Sequence, residues 1–349
     1  MTGVPEVQVA GIGTALPGPP IDNATLVRRF RLPAVWEQWI DAFVGTKSRH
    51  FTVDLDTGEQ RYTLADLGAT AARRAMAAAG VEPGAIDVVV MGSATPDNLM
   101  PATVNMIADR IGVDGVPTFQ LLSGCSGAIQ ALDVGSQLLR SGQYRTALVL
   151  GGDNCAPFLD LDLDIVNAPP GVQVNVMLFG DGAGAAVLTT EGPPGRPLLR
   201  SVYHRMVGLG RKPAQVVEWY GRPERAEGRE PVLEDFKAIE ELVPTMAVET
   251  LHELLSGLGW TPTDLDYILP PQLSEKLTSR VVEVLGMPWA EEVSCVTDIA
   301  NTVNALPFFE MEMLLSRMRP GERAAGLCVE ASKWTKGAYA LELVEPEEG

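Results

Sequence analysis

One cysteine of the chain lies in a context that suits nucleophilic catalysis. Cys125 is at the centre of residues 123–127 (SGCSG), between an apolar run that predicts a strand and an amphipathic run that predicts a helix. The small neighbours let a substrate approach the backbone closely, and the positive end of the helix would favour the thiolate. Backbone N–H groups at such a turn can also bind an oxyanion. The pattern therefore predicts a nucleophile at Cys125, with a packed core cysteine as the alternative.

The remaining cysteines and the histidines form no second motif. Cys155, Cys295 and Cys328 share no CxxC spacing and are interpreted as core or loop thiols. Four cysteines in 349 residues make no disulfide framework, which predicts a reduced, cytoplasmic protein. With three histidines in the whole chain, a histidine-based metal site is not expected, and we predict no metal and no cofactor.

The charge balance limits the partners of the chain. It has 27 basic and 45 acidic residues, which gives a formal charge of −18. Such an acidic surface repels phosphate backbones and argues against a nucleic-acid or anionic-membrane partner. The longest apolar runs, such as residues 172–179, are too short to span a bilayer, and no signal-peptide pattern opens the sequence. The composition is that of a folded globular protein with two domains or one large α/β unit.

Strand and helix patterns alternate around the cysteine. Apolar runs predict strands, and amphipathic runs that end at Gly80, Gly112 or Gly142 predict helices. The predicted strands are 7–12, 86–91, 118–122, 146–150 and 184–189, and the predicted helices are 64–79, 106–111 and 126–139. This spacing indicates a parallel or mixed α/β sheet, in which Cys125 follows the third strand.

A Pro/Gly-rich segment, residues 191–196, separates this half from a second half with the same alternation. There the predicted helices are 239–258, 275–285 and 308–318, and the predicted strands are 267–269, 325–329 and 338–344. Residues 211–229 are charged and contain Gly and Pro, which is typical of a surface insertion. The halves are similar in length, so a duplicated architecture is predicted, with residues 1–190 as the N-terminal half and 197–349 as the C-terminal half.

Five motifs of the chain resemble those of one enzyme family. They are residues 11–18 (GIGTALPG), Trp39-Ile40 with 45–50 (GTKSRH), 95–97 (TPD) with Pro101, 123–127 (SGCSG) and 179–185 (FGDGAGA). In this order and spacing they resemble the ketoacyl-acyl-carrier-protein synthase III family, which has the thiolase fold. The resemblance implies an α/β, thiolase-like duplicated αβαβα layered fold with mixed five-stranded sheets. It also implies a homodimer and a substrate tunnel that ends at Cys125.

The chain departs from this family at the catalytic histidine. The resemblance implies a set of Cys, His and Asn, in which Asn301 is retained but Pro271 stands at the position of the histidine. In the family, both donors stabilise the enolate that forms when a malonyl thioester loses CO₂. Proline has no donor to replace the imidazole, and loss of one such donor costs on the order of 10²–10³ in rate. Decarboxylative condensation is therefore expected to be crippled, whereas attack of Cys125 on an acyl thioester is expected to survive.

A second departure lies beside the expected oxyanion site. The family's glycine-rich loop corresponds to residues 330–335 (EASKWT), where the N–H of Ser332 is expected to pair with that of Cys125 to hold an oxyanion. Glu330 replaces an apolar aromatic residue, and a carboxylate buried there would have a raised pKa. It is a candidate base for an acceptor, with a solvent-facing or lysine-paired glutamate as the alternative. His204 is another possible base, although a lone strand histidine is more often structural.

The expected substrate-binding residues also follow from the resemblance. Two arginines that bind coenzyme A in the family correspond to Phe43 and Gln173, so an acyl carrier protein or another pantetheine thioester is expected as the donor. Lys276 and Arg280 are candidates for docking an acidic carrier, with ordinary solvated charges as the alternative. Met100 is placed where the partner subunit would cap the acyl tunnel. The expected substrate-binding set is Trp39, Met100, Pro271, Gln272 and Lys276.

Three functions are consistent with these residues. The first is an acyltransferase of specialised metabolism, such as polyketide or antibiotic biosynthesis. It would move an acyl group through Cys125 to a hydroxyl, an amine or a second carrier thiol, without decarboxylative condensation. The second is a starter-unit ketoacyl synthase III that retains weak carbon–carbon bond formation. The third is a non-catalytic thiolase-fold scaffold, which the intact SGCSG turn argues against.

Overall fold

The computed structural model describes residues 4–217 and 232–345. The strands are β1 (Gln8–Ala15), β2 (Ile21–Asp22), β3 (Ser48–Arg49), β4 (Val88–Gly92), β5 (Thr118–Leu121), β6 (Thr146–Asp153), β7 (Gly182–Thr189), β8 (Leu198–Met206), β9 (Gln215–Val217), β10 (Val232–Glu234), β11 (Tyr267–Leu269), β12 (Glu291–Glu292), β13 (Arg323–Glu330) and β14 (Thr335–Glu342). The helices are α1 (Asn23–Arg29), α2 (Val35–Phe43), α3 (Leu64–Ala79), α4 (Thr103–Ile111), α5 (Gly127–Arg140), α6 (Pro170–Leu178), α7 (Phe236–Leu258), α8 (Glu275–Leu285), α9 (Val296–Ile299) and α10 (Leu306–Leu315).

Ten of the strands form a mixed sheet that consists of two copies of one five-stranded pattern. Its order is β12-β11-β13-β14-β8-β1-β7-β6-β4-β5, and the halves meet where Gln8 of β1 pairs with Leu198 of β8. Outward from that seam, each half places its own strands in the order first, fifth, fourth, second, third. In both halves the first three strands from the seam are antiparallel neighbours and the other pairings are parallel. This agreement in order and direction confirms the predicted duplication.

The helices lie in three layers separated by the two half-sheets. α5 and α10 share one apolar core with both half-sheets, including Val90 and Val149 of the first and Leu269 and Ala324 of the second. α3 and α4 pack on the outer face of the first half-sheet, and α7 and α8 pack on the outer face of the second. The alternation of helices and sheets is the predicted αβαβα arrangement, so the predicted fold class is confirmed.

Local sequence signals account for the boundaries of α3. The helix begins at a capping box formed by Thr63 and Asp66, and it ends at Gly80, whose φ is +70°. Its alanine-rich face lies against β1, where a Cβ on Gly13 would lie 2.4 Å from the backbone nitrogen of Ala75. Because neither surface carries a large side chain at this contact, helix and strand approach more closely than ordinary side chains would allow.

The predicted elements agree with the structure to different degrees. The bounds of α3, β11 and α8 are those predicted, and the remaining predicted elements are shifted by a few residues. The sequence did not predict α6, because residues 170–178 are apolar without helical periodicity, or β12, which has two charged residues. Of the predicted surface insertion, residues 215–217 form β9 instead of a loop, and residues 218–229 lie outside the described residues.

The connection between the two halves runs from β7 to β8 through residues 190–197. The division of the chain into separate domains at this connection stays a prediction. Within residues 4–217 and 232–345, no helix is both long and apolar enough to cross a lipid bilayer.

Candidate active site

Cys125 lies in a tight turn between β5 and α5, which we call the nucleophile turn (residues 123–127). A short 3₁₀ segment, Gly124–Ser126, joins the strand to the helix, and Gly124 has a φ of +51°, which favours glycine. A Cβ on Gly124 would lie 2.5 Å from Oε1 of Glu330, so the Glu330 carboxyl packs directly on the turn. The turn has the predicted position at the start of a helix, and the catalytic role of Cys125 stays a prediction.

The Cys125 thiol is half-buried among polar groups. Its Sγ lies 3.9 Å from Oε1 of Gln215, and its carbonyl accepts a weak hydrogen bond from the Cys328 thiol at 3.5 Å. Burial raises the pKa of Cys125 well above its usual value, and the Glu330 carboxylate raises it further. This corrects the expectation that the helix end favours the thiolate. The partial charge of a helix terminus is outweighed here by the loss of water and by full negative charges nearby.

A buried carboxylate holds the loop that follows β4. Oδ1 of Asp153, at the end of β6, accepts hydrogen bonds from Ser93 Oγ, from the N–H of Ala94, and from both the N–H and Oγ1 of Thr95, at 2.7–3.2 Å. Oδ2 accepts from the N–H and from Nδ2 of Asn304, at 3.0 and 2.7 Å. Burial raises the pKa of Asp153, and the hydrogen bonds with Asn304 and Thr95 lower it. One carboxylate therefore joins a loop of the first half to a residue of the second.

Asn304 extends this network to the nucleophile turn. Its Nδ2 also donates to the carbonyl of Gly124 at 2.9 Å, and its Oδ1 accepts from the N–H of Ala128 at 2.8 Å. The side chain thus binds the backbone on both sides of Cys125. Sequence reasoning assigns no role to Asn304, and the signal available there is its position three residues after Asn301.

Asn301, the residue retained from the expected donor pair, is buried near the FGDGAGA segment. Its backbone pairs with Phe179, and its Oδ1 accepts a hydrogen bond from the N–H of Val303 at 2.9 Å. That bond orients the amide, while Nδ2 donates to no residue in the described ranges. The geometry leaves a donor available, and its use in catalysis stays a prediction.

Pro271 occupies the loop that follows β11. This strand pairs in parallel with β13, so that Leu269 lies beside Gly326. Pro271 follows the last paired residue of β11 by two positions, and its carbonyl accepts a hydrogen bond from Oγ1 of Thr278 at 3.4 Å. Proline provides neither an N–H nor a side-chain donor in this loop.

Glu330 is buried, with 2% of its surface exposed, and its carboxyl binds its own loop. Oε1 accepts from the N–H of Ser332 at 2.6 Å, and Oε2 accepts from Oγ1 of Thr335 at 3.1 Å. The side chains of Lys333 and Lys336 bond elsewhere, so the solvent-facing and lysine-paired alternatives are wrong. The N–H of Ser332 is donated to this carboxylate, which would repel an oxyanion, and the expected role of Ser332 in holding an oxyanion stays a prediction.

His204 lies in β8 next to the nucleophile turn. Ser126 Oγ donates to the carbonyl of Ser123 at 2.8 Å and lies 2.8 Å from Nε2 of His204, so the imidazole acts as the donor to this hydroxyl. Burial lowers the pKa of His204. A neutral imidazole that donates to Ser126 supports the structural interpretation of His204.

Gln272 is buried and supports the Pro271 loop. Its Nε2 donates to Oε1 of Glu310 at 2.5 Å, and its Oε1 accepts from the N–H groups of Cys295 and Val296 at 2.7 Å each. Both ends of its buried amide have protein partners, and the expected substrate role of Gln272 stays a prediction.

The other expected substrate-binding residues lie nearer the surface. Trp39 is half-buried and stacks on the exposed Phe43, with ring centroids 5.6 Å apart. Met100 is 86% exposed. Lys276 is exposed and forms an ion pair with Glu275 at 3.0 Å, which reduces the charge that it can offer to a carrier protein. Their substrate roles stay predictions.

Two residues that sequence reasoning missed complete the surroundings of the thiol. Gln215 of β9, whose Oε1 faces Cys125, donates through Nε2 to Oε1 of Glu234 in the neighbouring strand β10. Burial raises the pKa of Glu234 to about 7, against the lowering by the hydrogen bond from Gln215. Gln215 is 90 positions from Cys125, so no local pattern links the two.

Comparison with known sequences finds relatives over nearly the whole chain. The family profile for 3-oxoacyl-[acyl-carrier-protein (ACP)] synthase III matches residues 119–205, and the profile for the thiolase N-terminal domain matches residues 43–157. A beta-ketoacyl-[acyl-carrier-protein] synthase III from Streptomyces coelicolor is 30% identical over 347 residues, which cover 95% of this chain and 96% of the relative.

Comparison with solved structures finds the same fold. A protein titled "AbyA1 - tetronic acid condensing enzyme" has a TM-score of 0.93 and 54% identity, covering 96% of this chain and 99% of that one. The priming beta-ketosynthase of the R1128 polyketide biosynthetic pathway has a TM-score of 0.82 and 26% identity, covering 97% of each chain. A 3-oxoacyl-(acyl carrier protein) synthase III from Pseudomonas aeruginosa has a TM-score of 0.83 and 25% identity, covering 97% of this chain and 99% of that one.

Proposed function

Because this chain belongs to the 3-oxoacyl-[acyl-carrier-protein] synthase III family, we propose that it is an acyltransferase in which Cys125 takes an acyl group from a carrier-protein or other pantetheine thioester. The acyl group then passes to a hydroxyl, an amine or a second carrier thiol, without decarboxylative condensation. One observation supports this proposal: the nucleophile turn is intact in the structure. The sequence resemblance, which assigns Pro271 to the position of the family's histidine, is its second premise.

In the first step, the sulfur of Cys125 attacks the thioester carbonyl. The new bond joins this sulfur to the acyl carbon, the donor's carbon–sulfur bond breaks, and the thiol proton ends on the leaving pantetheine sulfur. Because burial raises the pKa of the thiol, the reaction needs a group that accepts the proton as the bond forms. Glu330, whose carboxyl packs on the nucleophile turn, is the candidate for this role.

In the second step, the acceptor attacks the carbonyl of the acyl-Cys125 thioester. A bond forms between the acceptor atom and the acyl carbon, the bond to the Cys125 sulfur breaks, and the acceptor's proton returns to that sulfur. Glu330 is again the candidate base. The likeness to a tetronic acid condensing enzyme favours a hydroxyl acceptor, because a tetronic acid ring contains an acyl–oxygen bond.

A condensing reaction is the second candidate function. The neighbour with 54% identity is titled a condensing enzyme, and another neighbour is a priming ketosynthase of a polyketide pathway. These likenesses support a polyketide context and a starter-unit role. For this chain such a reaction would need a carbon nucleophile that forms without help from a histidine at position 271.

We also propose that the chain forms a homodimer through β5. This strand is at one edge of the ten-stranded sheet, and exposed apolar side chains lie on it or in the loops near it, namely Leu99, Met100, Phe119 and Leu122. An edge strand with exposed apolar neighbours tends to pair with another chain. Light scattering should give twice the mass of one chain, and a monomer at micromolar concentration would contradict this arrangement.

Mass spectrometry of the intact protein tests the proposed reaction. Acyl thioesters of a carrier protein should add one acyl group, which peptide mapping should place on Cys125. A hydroxyl, amine or thiol acceptor should then remove it. No acyl group on Cys125 would favour the scaffold alternative, and efficient release of CO₂ from a malonyl thioester would favour condensation.

A further inference from the structure

One polar pair beside the nucleophile has no role in the reaction just described. We propose that Gln215 and Glu234 form a proton-sensitive positioning pair, which determines whether the oxygen or the nitrogen of the Gln215 amide faces the sulfur of Cys125. The inference deepens the proposed function, because it concerns the thiol on which that function rests.

The ionised state of Glu234 fixes one orientation of the amide. A carboxylate only accepts hydrogen bonds, so Glu234 takes Nε2 of Gln215 and leaves Oε1 of the amide facing Cys125. An amide oxygen 3.9 Å from Sγ can accept from the S–H group, but it offers nothing to a thiolate. This orientation therefore stabilises the protonated, unreactive form of Cys125.

Protonation of Glu234 by solvent permits the opposite orientation. A carboxylic acid can donate to the amide oxygen of Gln215, and a half-turn of the terminal torsion then points Nε2–H towards the sulfur. An N–H donor favours the thiolate. The loss of charge acts in the same direction, because the Glu234 carboxylate is one of the groups that raise the pKa of Cys125.

The surroundings of Glu234 are suited to a change of protonation state. Oε2 of Glu234 and Oδ1 of Asn175 are both buried and have no hydrogen-bond donor among the described residues, and the Asn175 side chain lies against this carboxyl. Two unpaired oxygens side by side disfavour a negative charge on Glu234; in the proposed state its single proton is on Oε1 and faces the Gln215 amide. The described titratable groups that face Glu234 are the thiols of Cys125 and Cys155. Burial raises the pKa of Glu234 to about 7, so both states are populated near neutral pH.

The rate at which iodoacetamide alkylates Cys125 tests this pair in the full-length protein. A simple thiol well below its pKa reacts tenfold faster for each pH unit. The alkylation rate of the wild-type protein should rise less steeply between pH 6 and 8, because Glu234 ionises there and makes the Cys125 thiol less acidic. Glu234→Gln should follow the simple line and react about tenfold faster than wild type at pH 8, which corresponds to one pKa unit. Peptide mass spectrometry separates Cys125 from the other three cysteines.

Two further variants isolate the contributions of charge and orientation. Glu240→Gln removes an exposed carboxylate on α7 and should keep the wild-type profile. Gln215→Leu removes the amide and should reduce the bend near pH 7, that is, the decrease in slope of the alkylation rate against pH. A straight wild-type profile, or a bend that Glu234→Gln preserves, would overturn the inference, and an unchanged bend in Gln215→Leu would overturn the role of the amide.

Acyl uptake measured on the same samples separates this inference from the proposed function. A bent alkylation profile without acyl uptake would refute the acyltransferase and keep the positioning pair. Acyl uptake with a straight alkylation profile would refute the positioning pair and keep the acyltransferase.

Discussion

The nucleophile turn follows β5, the third strand of the first half. The asparagine segment (residues 293–305, with Asn301 and Asn304) follows β12, the third strand of the second half, so the two occupy equivalent places in the sheet. The first presents the thiol of Cys125 in a glycine-lined turn. The second uses Asn304 to bind the backbone on both sides of that thiol and orients Asn301 through an internal hydrogen bond. One half therefore carries the reactive group, and the other holds it in place.

The loops after the second strand of each half show the same division. The loop after β4 is held by Asp153, and the loop after β11 is held by the buried amide of Gln272. The second of these loops carries Pro271, so it keeps its support without a donor side chain. Acyl uptake depends on the first half, whereas decarboxylation depends on a donor from the second. Under the proposed function, a change in the second half would therefore reduce decarboxylation and leave acyl uptake in place.

The largest effect should come from Cys125→Ala, which removes the reactive group of the first half. Acyl uptake should fall by at least about 10³-fold, because Cys125 is the only thiol in the turn and a serine hydroxyl is a much weaker nucleophile without an adjacent base. Intact-protein mass measures the loss, and Cys155→Ala, in a thiol outside the turn, should keep uptake. Full acylation of Cys125→Ala would place the nucleophile elsewhere.

The next largest effect should come from a substitution in the C-terminal half of the chain. Pro271→His should increase CO₂ release from a malonyl thioester by about 10–100-fold, because it adds a donor for the enolate oxygen. Pro271→Ala is the matched control and should give no gain, since it restores flexibility without an imidazole. Equal gains in both variants would show that the proline ring, and not the missing donor, limits decarboxylation.

A smaller effect is expected from Glu330→Gln, which keeps the size of the buried side chain. Transfer of the acyl group to an acceptor should slow by about tenfold if the carboxylate is the base. The pKa of Cys125 should fall, since one of the negative charges that raise it is gone, so alkylation of the free thiol should become faster. Transfer at the wild-type rate would remove Glu330 from the mechanism.

The smallest effect should come from the surface charge at Lys276. Lys276→Glu should raise KM for a carrier-protein donor by about threefold and leave kcat unchanged, because exposed charges are worth little individually. A short pantetheine thioester should show no change with the same variant. An equal rise in KM with both donors would mean that Lys276 does not contact the carrier protein.

The parts of the fold that the sequence predicts best are those with local signals. α3 has a capping box at Thr63 and a left-handed glycine at its end, and α8 is capped by Ser274 and Gly286. α6 has no such periodicity, and its helical form depends on packing against the rest of the chain. β12 consists of two glutamates and is a strand only because β11 lies beside it.

The residues of the candidate site also divide into those with a local sequence signal and those without one. Cys125 is predicted from its turn, and Glu330 from its departure from the family pattern, because both signals lie within a few residues. Gln215 and Glu234 could not be predicted, since one lies in the predicted surface insertion and the other follows it, and they lie near the thiol only in the folded chain. The hydrogen bond from the N–H of Ser332 to Glu330 could not be predicted either, because the sequence does not reveal the orientation of the Glu330 carboxyl.

The bond between Asp153 and Asn304 has a consequence for the growing polypeptide. A chain emerges from the ribosome with its amino-terminal residues first. Cys125 is therefore made long before the asparagine that braces its turn, and the turn can take its final shape only after residue 304 has left the exit tunnel. The backbone on both sides of Cys125 therefore gains its hydrogen bonds to Asn304 only as synthesis nears completion.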